Sequence, residues 1–148
     1  MNFIKQQHTR GCCVACVAML TGVSYEKVWR DQTSAFSGEE VLNFRPLTWS
    51  VYLSHLGFEY GYFYAEGWSL DMLIEIPRGL RYFCGVGLHE DHPKSHPDNT
   101  HAIVIDEDGT VFDPAHDAPG VMPIEHYRTL PKKLLLLGSV QDRRLLID

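Results

Sequence analysis

The sequence predicts an α+β fold, in which helices come first along the chain and an antiparallel sheet follows them. Three observations support this order. Small apolar residues run from Cys12 to Gly22 without a helix breaker. The second half instead holds short apolar or aromatic runs that are separated by turn residues. Within that half, Asp108-Gly109 lies between two apolar runs, which is a strong signal for a β-hairpin.

Capping residues and glycines define three helices in the first part of the chain. Gly22 is the predicted stop of the first helix, because glycine readily adopts the left-handed conformation that follows a helix end. Ser24 and Thr48 have side chains suited to capping the second and third helices, and Gly57 closes the third. The predicted helices span residues 12–22, 24–31 and 48–56, with a loop at 33–39.

Aromatic and β-branched runs predict the strands of the sheet. Two of these strands flank the Asp108-Gly109 turn. Pro77 ends a short helix ahead of another strand, since the residue before a proline avoids the helical conformation. The predicted strands span residues 58–64, 80–88, 102–105, 111–112 and 134–137, with a short helix at 69–76, a polar loop at 89–99, and a last edge strand or partly ordered end at 141–148.

Composition and charge restrict the classes of function. The 148 residues give room for one domain, which we assign to residues 1–148. The net charge is −6 and the 13 Lys and Arg residues are scattered, so nucleic acid is disfavoured as a partner. No apolar run approaches the ~20 residues of a membrane span, so no membrane association is expected. The first residues lack the apolar core of a secretion signal, and a cytoplasmic location is therefore expected.

The cysteines allow three interpretations. Disulfides are disfavoured, because the expected compartment is reducing. Cys13 and Cys16 have the spacing of zinc ligands, but a second cysteine pair is missing. The other candidate ligands are His89, His92 and His96. The third interpretation, a nucleophilic thiol among structural neighbours, fits better, so no metal or other cofactor is expected.

Cys12 lies where the first helix begins, and this position suits a nucleophile. A thiol attacks as the thiolate, which the positive end of a helix dipole favours. His101 opens one strand of the predicted hairpin and Asp113 ends the other. Because the two ends of a hairpin lie side by side, Asp113 is expected to hold one nitrogen of the His101 ring while the other faces the thiol. The pattern therefore predicts a Cys-His-Asp triad.

Acyl transfer also needs hydrogen-bond donors for the oxyanion that develops on the substrate. Gln6 precedes Cys12 by six residues, so its side-chain amide is a candidate donor that folds back over the thiol. The backbone N–H of Cys12 would be the second donor. Gln7 is the competing candidate for the role of the glutamine.

Residues 6–20 resemble the start of the papain-like cysteine peptidases that process double-glycine leader peptides, and of their stand-alone relatives. Those enzymes carry a Gln, then Asp-Cys-Gly-x-Ala-Cys or a similar run, then a helix, and later His-x-Val-Val-x followed by Asp-Pro. The resemblance implies a papain-like fold, in which the N-terminal helix carries the nucleophile and packs on an antiparallel sheet. It implies Cys12 as nucleophile, His101 as base, Asp113 as orienting group and Gln6 as oxyanion donor.

Two residues depart from the pattern of this family. Gly11 stands where the family often has Asp, and Cys13 stands where Gly is usual. Cys12 aligns with the family nucleophile, and Cys13 is the alternative nucleophile. The resemblance covers residues 6–20 and 101–114.

The predicted activity is hydrolysis of a peptide or amide bond through a thioester, with a peptide or protein as the substrate. An acyltransferase that uses the same triad is the nearest alternative. A non-catalytic binding or inhibitory protein of the same fold, and a zinc module built on Cys13 and Cys16, are the alternatives from other classes. No oligomeric state is predicted.

Overall fold

A computed structural model of the chain describes residues 1–35, 44–88, 100–115 and 120–144. Within these ranges the helices are α1 (Cys12–Thr21), α2 (Tyr25–Ala35), α3 (Pro46–His55), α4 (Met72–Glu75) and α5 (Ile124–Tyr127). The strands there are β1 (Phe58–Ser69), β2 (Arg81–Leu88), β3 (His101–Ile105), β4 (Thr110–Phe112), β5 (Val121–Pro123) and β6 (Lys132–Asp142). The three longer helices precede the sheet, which confirms the predicted α+β order. None of the helices in the described ranges is long and apolar enough to span a membrane.

The strands of the described residues form a six-stranded antiparallel sheet in the order β1-β6-β2-β3-β4-β5. The last strand therefore returns to the interior of the sheet, between β1 and β2. The prediction of a separate edge strand near the C-terminus is wrong for Gln141 and Asp142, which belong to β6. Residues 145–148 lie outside the described residues. The position of a strand in the sheet depends on which distant segments pair with it. The residues of the strand itself carry little information about these partners.

Strands β3 and β4 form the predicted hairpin, in which Val104 pairs with Phe112. The Asp106 N–H donates to the Thr110 carbonyl at 3.0 Å and closes the turn. Gly109 has a φ of 81°, which glycine adopts without the steric cost that a side chain would add. This turn sets the register that brings the start of β3 close to the end of β4.

The sheet separates two hydrophobic clusters, because alternate side chains of a strand point to opposite faces. Ala102 and Val104 of β3 pack in the cluster that contains α1, whereas Ile103 and Ile105 pack in the other. By the same alternation, His101 at the start of β3 shares the face of Ile103. The second cluster also contains Tyr127 of α5, so the base of the predicted triad lies on the same face as this helix.

Helix α1 is buried along nearly its whole length. Every residue after Cys12 is buried, and the helix packs against β3. The helix ends at Gly22, which has a φ of 77° and donates its N–H to the Ala18 carbonyl at 3.0 Å. The predicted stop of the first helix is confirmed.

Three predicted helices have other boundaries in the structure. The short helix predicted at residues 69–76 is limited to α4, because Ser69 is the last residue of β1. Helix α3 begins at Pro46, ahead of the predicted cap Thr48, since the fixed φ and missing N–H of proline suit a first turn. Helix α2 continues to Ala35, so residues 33–35 are helical and do not begin a loop. Ser24 caps this helix as predicted, because its Oγ accepts the Lys27 N–H at 3.2 Å. Residues 36–39 of that loop and the polar loop at 89–99 lie outside the described residues.

Candidate active site

The N-terminus of α1 carries Cys12 at the open end of a buried helix. Gly11 is the N-cap residue, and no side chain caps the first turn. The N–H groups of a first turn lack partners inside the helix, and their positive potential favours a thiolate close to them. Cys12 is partly exposed, whereas Cys13, Cys16 and Cys84 are buried. A substrate can therefore reach Cys12 more readily than any other cysteine.

The hairpin brings His101 and Asp113 into direct contact. His101 Nε2 lies 2.6 Å from Asp113 Oδ1, which is the length of a strong charge-assisted hydrogen bond. With Nε2 bound to the carboxylate, Nδ1 is the ring nitrogen left to face a thiol. The His101 side chain is 23% exposed and that of Asp113 1% exposed, so the imidazole is open to a substrate and the carboxylate is not.

Asp113 is held by more partners than the sequence predicts. The Tyr127 hydroxyl donates to Oδ2 at 3.1 Å, and the Ala115 N–H donates to Oδ1 at 3.0 Å. Burial alone would raise the pKa of the Asp113 carboxyl, but hydrogen bonds to His101 and Ala115 and the charge of His101 hold that pKa below its ordinary value. Asp113 is therefore ionised and fixed in orientation. Tyr127 lies in α5, a short helix that is not among the helices predicted from the sequence.

The pKa of Cys12 lies well below that of an ordinary thiol. A hydrogen bond with the Cys13 thiol is the largest cause, and burial of Cys12 opposes it. His101 lowers the pKa of Cys12 further through a hydrogen bond and through its charge, and the Ala102 N–H adds a smaller contribution. The thiolate form of Cys12 is therefore favoured more strongly than in an ordinary thiol.

The pKa of His101 is shifted in the opposite direction to that of Cys12. Burial disfavours the imidazolium, but the hydrogen bonds and charges of Asp113 and Cys12 outweigh it and raise the pKa of His101 to about 9. Between the lowered pKa of Cys12 and about 9, a thiolate therefore faces an imidazolium. Such a pair combines a nucleophile with a proton donor for a leaving group.

The other three cysteines have raised pKa values, as expected for thiols in a protein core. Burial raises the pKa of Cys13, Cys16 and Cys84, so these thiols keep their protons at neutral pH. The two adjacent cysteines thus differ in kind, because the pKa of Cys12 is lowered and that of Cys13 is raised. This difference favours Cys12 over Cys13 as the nucleophile.

Gln6 lies in the loop that leads into α1, and its amide faces that loop. The residue is 7% exposed. Nε2 donates to the carbonyls of His8 at 3.0 Å and Thr9 at 3.2 Å, while Oε1 has no partner among the described residues. Exchanging the two amide atoms would set Oε1 against both carbonyls, so these contacts fix the orientation. Both amide hydrogens are thus used inside the loop and neither is directed to the thiol.

Gln7, the competing candidate, has an exposed side chain. Its backbone N–H donates to the hydroxyl of Tyr25 at 3.1 Å. The same hydroxyl lies 3.0 Å from His8 Nδ1. Tyr25 is thus a second residue close to the site that carries no local sequence signal, because it reaches the loop from a different helix.

In the part of the chain that the structure describes, no three His, Cys, Asp or Glu side chains are grouped so that they could hold a metal ion. Cys13 and Cys16 are buried in α1. The histidines of the zinc alternative, His89, His92 and His96, lie outside the described residues.

A solved structure that matches the chain over most of its length is a double glycine motif protease from an AMS/PCAT transporter, in complex with the leader peptide. The match has a TM-score of 0.56 and 15% sequence identity, and it covers 95% of this chain and 91% of that chain. No protein-family model and no curated protein matches the sequence. At this identity the likeness concerns the fold, which is peptidase-like in its helices and antiparallel sheet.

Proposed function

We propose that the protein is a papain-like thiol hydrolase, with one domain over residues 1–148, that cleaves a peptide or amide bond. The opposite shifts of two neighbouring groups support this function most strongly, since the pKa of Cys12 is lowered and that of His101 is raised to about 9. The likeness in fold to a protease over 95% of the chain points to the same class. The positions of Cys12 at a helix start and of His101 beside Asp113 agree with it.

In the proposed reaction the Cys12 thiolate attacks the carbonyl carbon of the scissile bond. The C–N bond breaks as the His101 imidazolium passes its proton to the leaving amine, and a thioester remains on Cys12. Neutral His101 then takes a proton from water, which attacks the thioester and releases the carboxylic acid and the thiolate. Asp113 stays ionised throughout and holds Nε2, so that Nδ1 remains directed at the reacting atoms.

The proposed oxyanion site combines the backbone N–H of Cys12 with the amide of Gln6. The N–H at the start of α1 has no partner inside the helix and is free for this role. For Gln6 to act as the second donor, the N–H that meets the Thr9 carbonyl at 3.2 Å turns to the substrate oxygen. The shorter bond to His8, at 3.0 Å, then keeps the side chain in place.

A peptide is the proposed class of substrate. The protease of similar fold was solved with a leader peptide. The proposed steps need only the thiol, the imidazole, the carboxylate and water, so the mechanism contains no step for a cofactor.

Alkylation by iodoacetamide tests the proposed thiolate–imidazolium pair. Peptide mass spectrometry should find the label on Cys12, with an onset at a lower pH than that of an ordinary thiol, because the pKa of Cys12 is lowered. His101→Ala should move the onset of labelling toward the pH of an ordinary thiol. The matched control is His55→Ala, which removes an exposed histidine of α3 and should leave the labelling profile unchanged.

Acylation tests the next step of the reaction. We expect p-nitrophenyl acetate to release p-nitrophenolate in a burst with one acetyl group bound to Cys12, and to do so more slowly above about pH 9, where His101 loses its proton. A wild-type protein that labels all its cysteines equally, or that shows no Cys12 acylation at any pH, would contradict the proposed function.

A further inference from the structure

The loop of residues 6–11, which leads to the nucleophile, is wrapped around the hydroxyl of Tyr25. This hydroxyl accepts the Gln7 N–H at 3.1 Å and lies 3.0 Å from His8 Nδ1. Since the oxygen accepts from Gln7, its own proton is available to His8. One atom of α2 therefore holds two successive residues of the loop.

The loop is closed by its own hydrogen bonds as well. The Gly11 N–H and the Gln6 amide both donate to the His8 carbonyl, at 2.9 and 3.0 Å. The Gln6 N–H donates to the Pro114 carbonyl at 2.9 Å, directly after Asp113 in the chain. The loop thus spans from the end of the hairpin to the start of α1. One proposed oxyanion donor, Gln6, is its first residue, and the other, the Cys12 N–H, directly follows its last residue.

Gly11 is a glycine because the Tyr25 hydroxyl occupies the space of a side chain. A Cβ atom on Gly11 would lie 2.1 Å from the Tyr25 oxygen, and the next nearest atoms would be the His8 carbonyl oxygen at 3.1 Å and nitrogen at 3.3 Å. The φ of Gly11 is −95°, which any residue adopts, so the requirement is for space and not for backbone freedom. Gly11 and Tyr25 therefore form a matched pair.

The tyrosine is itself rigidly placed. Tyr25 is 4% exposed, and its ring lies parallel to that of Trp29 with 6.3 Å between centroids. The His8 ring stacks on Trp29 at 3.5 Å. Burial raises the pKa of Tyr25, so its hydroxyl keeps the proton that it offers to His8. The rings of Tyr25 and Trp29 thus form a rigid surface against which the loop packs.

We propose that the Tyr25 hydroxyl is a positioning group for the oxyanion site, which holds the backbone of the 6–11 loop so that the Gln6 side chain and the first N–H of α1 stay beside the same substrate oxygen. The inference rests on the proposed function of Cys12. Tyr25 does not touch the reacting atoms, and it acts through the loop.

Two reactions of Cys12 distinguish a positioning role of Tyr25 from a role in the stability of the fold. Alkylation by iodoacetamide proceeds without an oxyanion, whereas acylation by p-nitrophenyl acetate passes through one. Tyr25→Phe should slow acylation by about 10²-fold, because small displacements of catalytic groups cost rates of this order. Its alkylation profile against pH should match that of the wild type. Tyr82→Phe, which deletes a hydroxyl bonded to Pro77 at 2.8 Å, is the matched control and should change neither rate.

The pairing of Gly11 with Tyr25 gives a second test through a double-mutant cycle. Gly11→Ala in the wild type should slow acylation more than Tyr25→Phe does, since the new methyl group meets the hydroxyl. In the Tyr25→Phe background the same change should cost less, because the colliding oxygen is gone and only the contacts with the His8 backbone, at 3.1 and 3.3 Å, remain.

The outcomes separate the two proposals. Acylation of Cys12 in the wild type with equal rates in Tyr25→Phe, or a cost of Gly11→Ala that is the same in both backgrounds, would overturn the positioning role alone. A wild type whose Cys12 is never acylated would overturn the proposed function and the positioning role with it. A parallel loss of alkylation and acylation in Tyr25→Phe would show a role in folding and would also reject the proposal.

Discussion

The hydroxyl of Tyr127 offers a direct measure of the charge on Asp113. Tyr127 is completely buried and Asp113 is 1% exposed, and 3.1 Å separates the hydroxyl from Oδ2. Tyr127→Phe deletes this donor and leaves one oxygen of a buried carboxylate without it. A hydrogen bond to a charged group contributes about 1.5–3 kcal/mol to stability, against about 0.5–1.5 kcal/mol for a neutral pair. We therefore expect Tyr127→Phe to lower the free energy of unfolding by about 1.5–3 kcal/mol, the amount for a hydrogen bond to a charged group.

The expected change in melting temperature follows from the length of the chain. With an unfolding entropy of about 2.1 cal/mol/K per residue, the 148 residues convert this loss to about 5–10 °C. The matched control is Tyr60→Phe, which deletes a buried hydroxyl bonded to the neutral carbonyl of Phe83 at 2.8 Å. Its expected loss is about 2–5 °C. Thermal unfolding followed by circular dichroism at pH 7 measures both values.

A change of background then isolates the contribution of the charge. In Asp113→Asn the acceptor is neutral, so Tyr127→Phe should cost no more there than Tyr60→Phe costs in the wild type. If Tyr127→Phe costs the same in both backgrounds and no more than the control, Asp113 is not an ionised acceptor and the reasoning is refuted. If the whole loss of about 1.5–3 kcal/mol appeared in the transition state, acylation would slow by about 10- to 150-fold, which is an upper limit for the effect on rate.

Two further outcomes are expected from single substitutions. Cys13→Ala should raise the pKa of Cys12, because the Cys13 thiol is the largest cause of the lowered value. The pKa is measured as the pH at which iodoacetamide labelling begins. The control Cys84→Ala, at another buried cysteine, should leave this pH unchanged, and equal shifts in both variants would contradict this cause. Gly138→Ala should lower the free energy of unfolding by about 1–3 kcal/mol in urea titration, since its Cβ would lie 2.8 Å from a backbone Cα atom of β1. Gly61→Ala, whose Cβ would meet only one atom at 3.8 Å, is the control, and a similar loss there would count against overpacking.

The candidate thiol, imidazole and carboxylate could be identified from the sequence because each belongs to a local structure with its own signal. A small apolar run marks the start of α1, where Cys12 lies. The Asp108-Gly109 turn implies that the outer ends of two strands meet, and the structure places His101 Nε2 2.6 Å from Asp113 Oδ1. The roles of these residues remain proposals, but the contact between His101 and Asp113 followed from the short-range geometry of the hairpin.

The supporting residues of the site could not be identified in this way. Tyr25 and Tyr127 reach the site from α2 and α5, and their contacts join residues 18 and 14 positions apart in sequence. No turn signal or side-chain periodicity connects such pairs, so the sequence gives no reason to distinguish a tyrosine in either helix from an ordinary core residue. Gln6 was predicted at the thiol by its spacing, whereas the carbonyls of its own loop determine where the amide points.

The sequence by itself determined the local elements of this protein: the buried helix that starts at Cys12, the hairpin, and the α+β order. These depend on side-chain periodicity, caps and turn residues, which act over a few positions. Tertiary structure alone decided that β6 lies between β1 and β2, that Tyr25 occupies the space beside Gly11, and that Tyr127 donates a hydrogen bond to Asp113. Those arrangements arise from packing between distant segments, where the free energy is spread over many contacts and no single stretch of residues carries the signal.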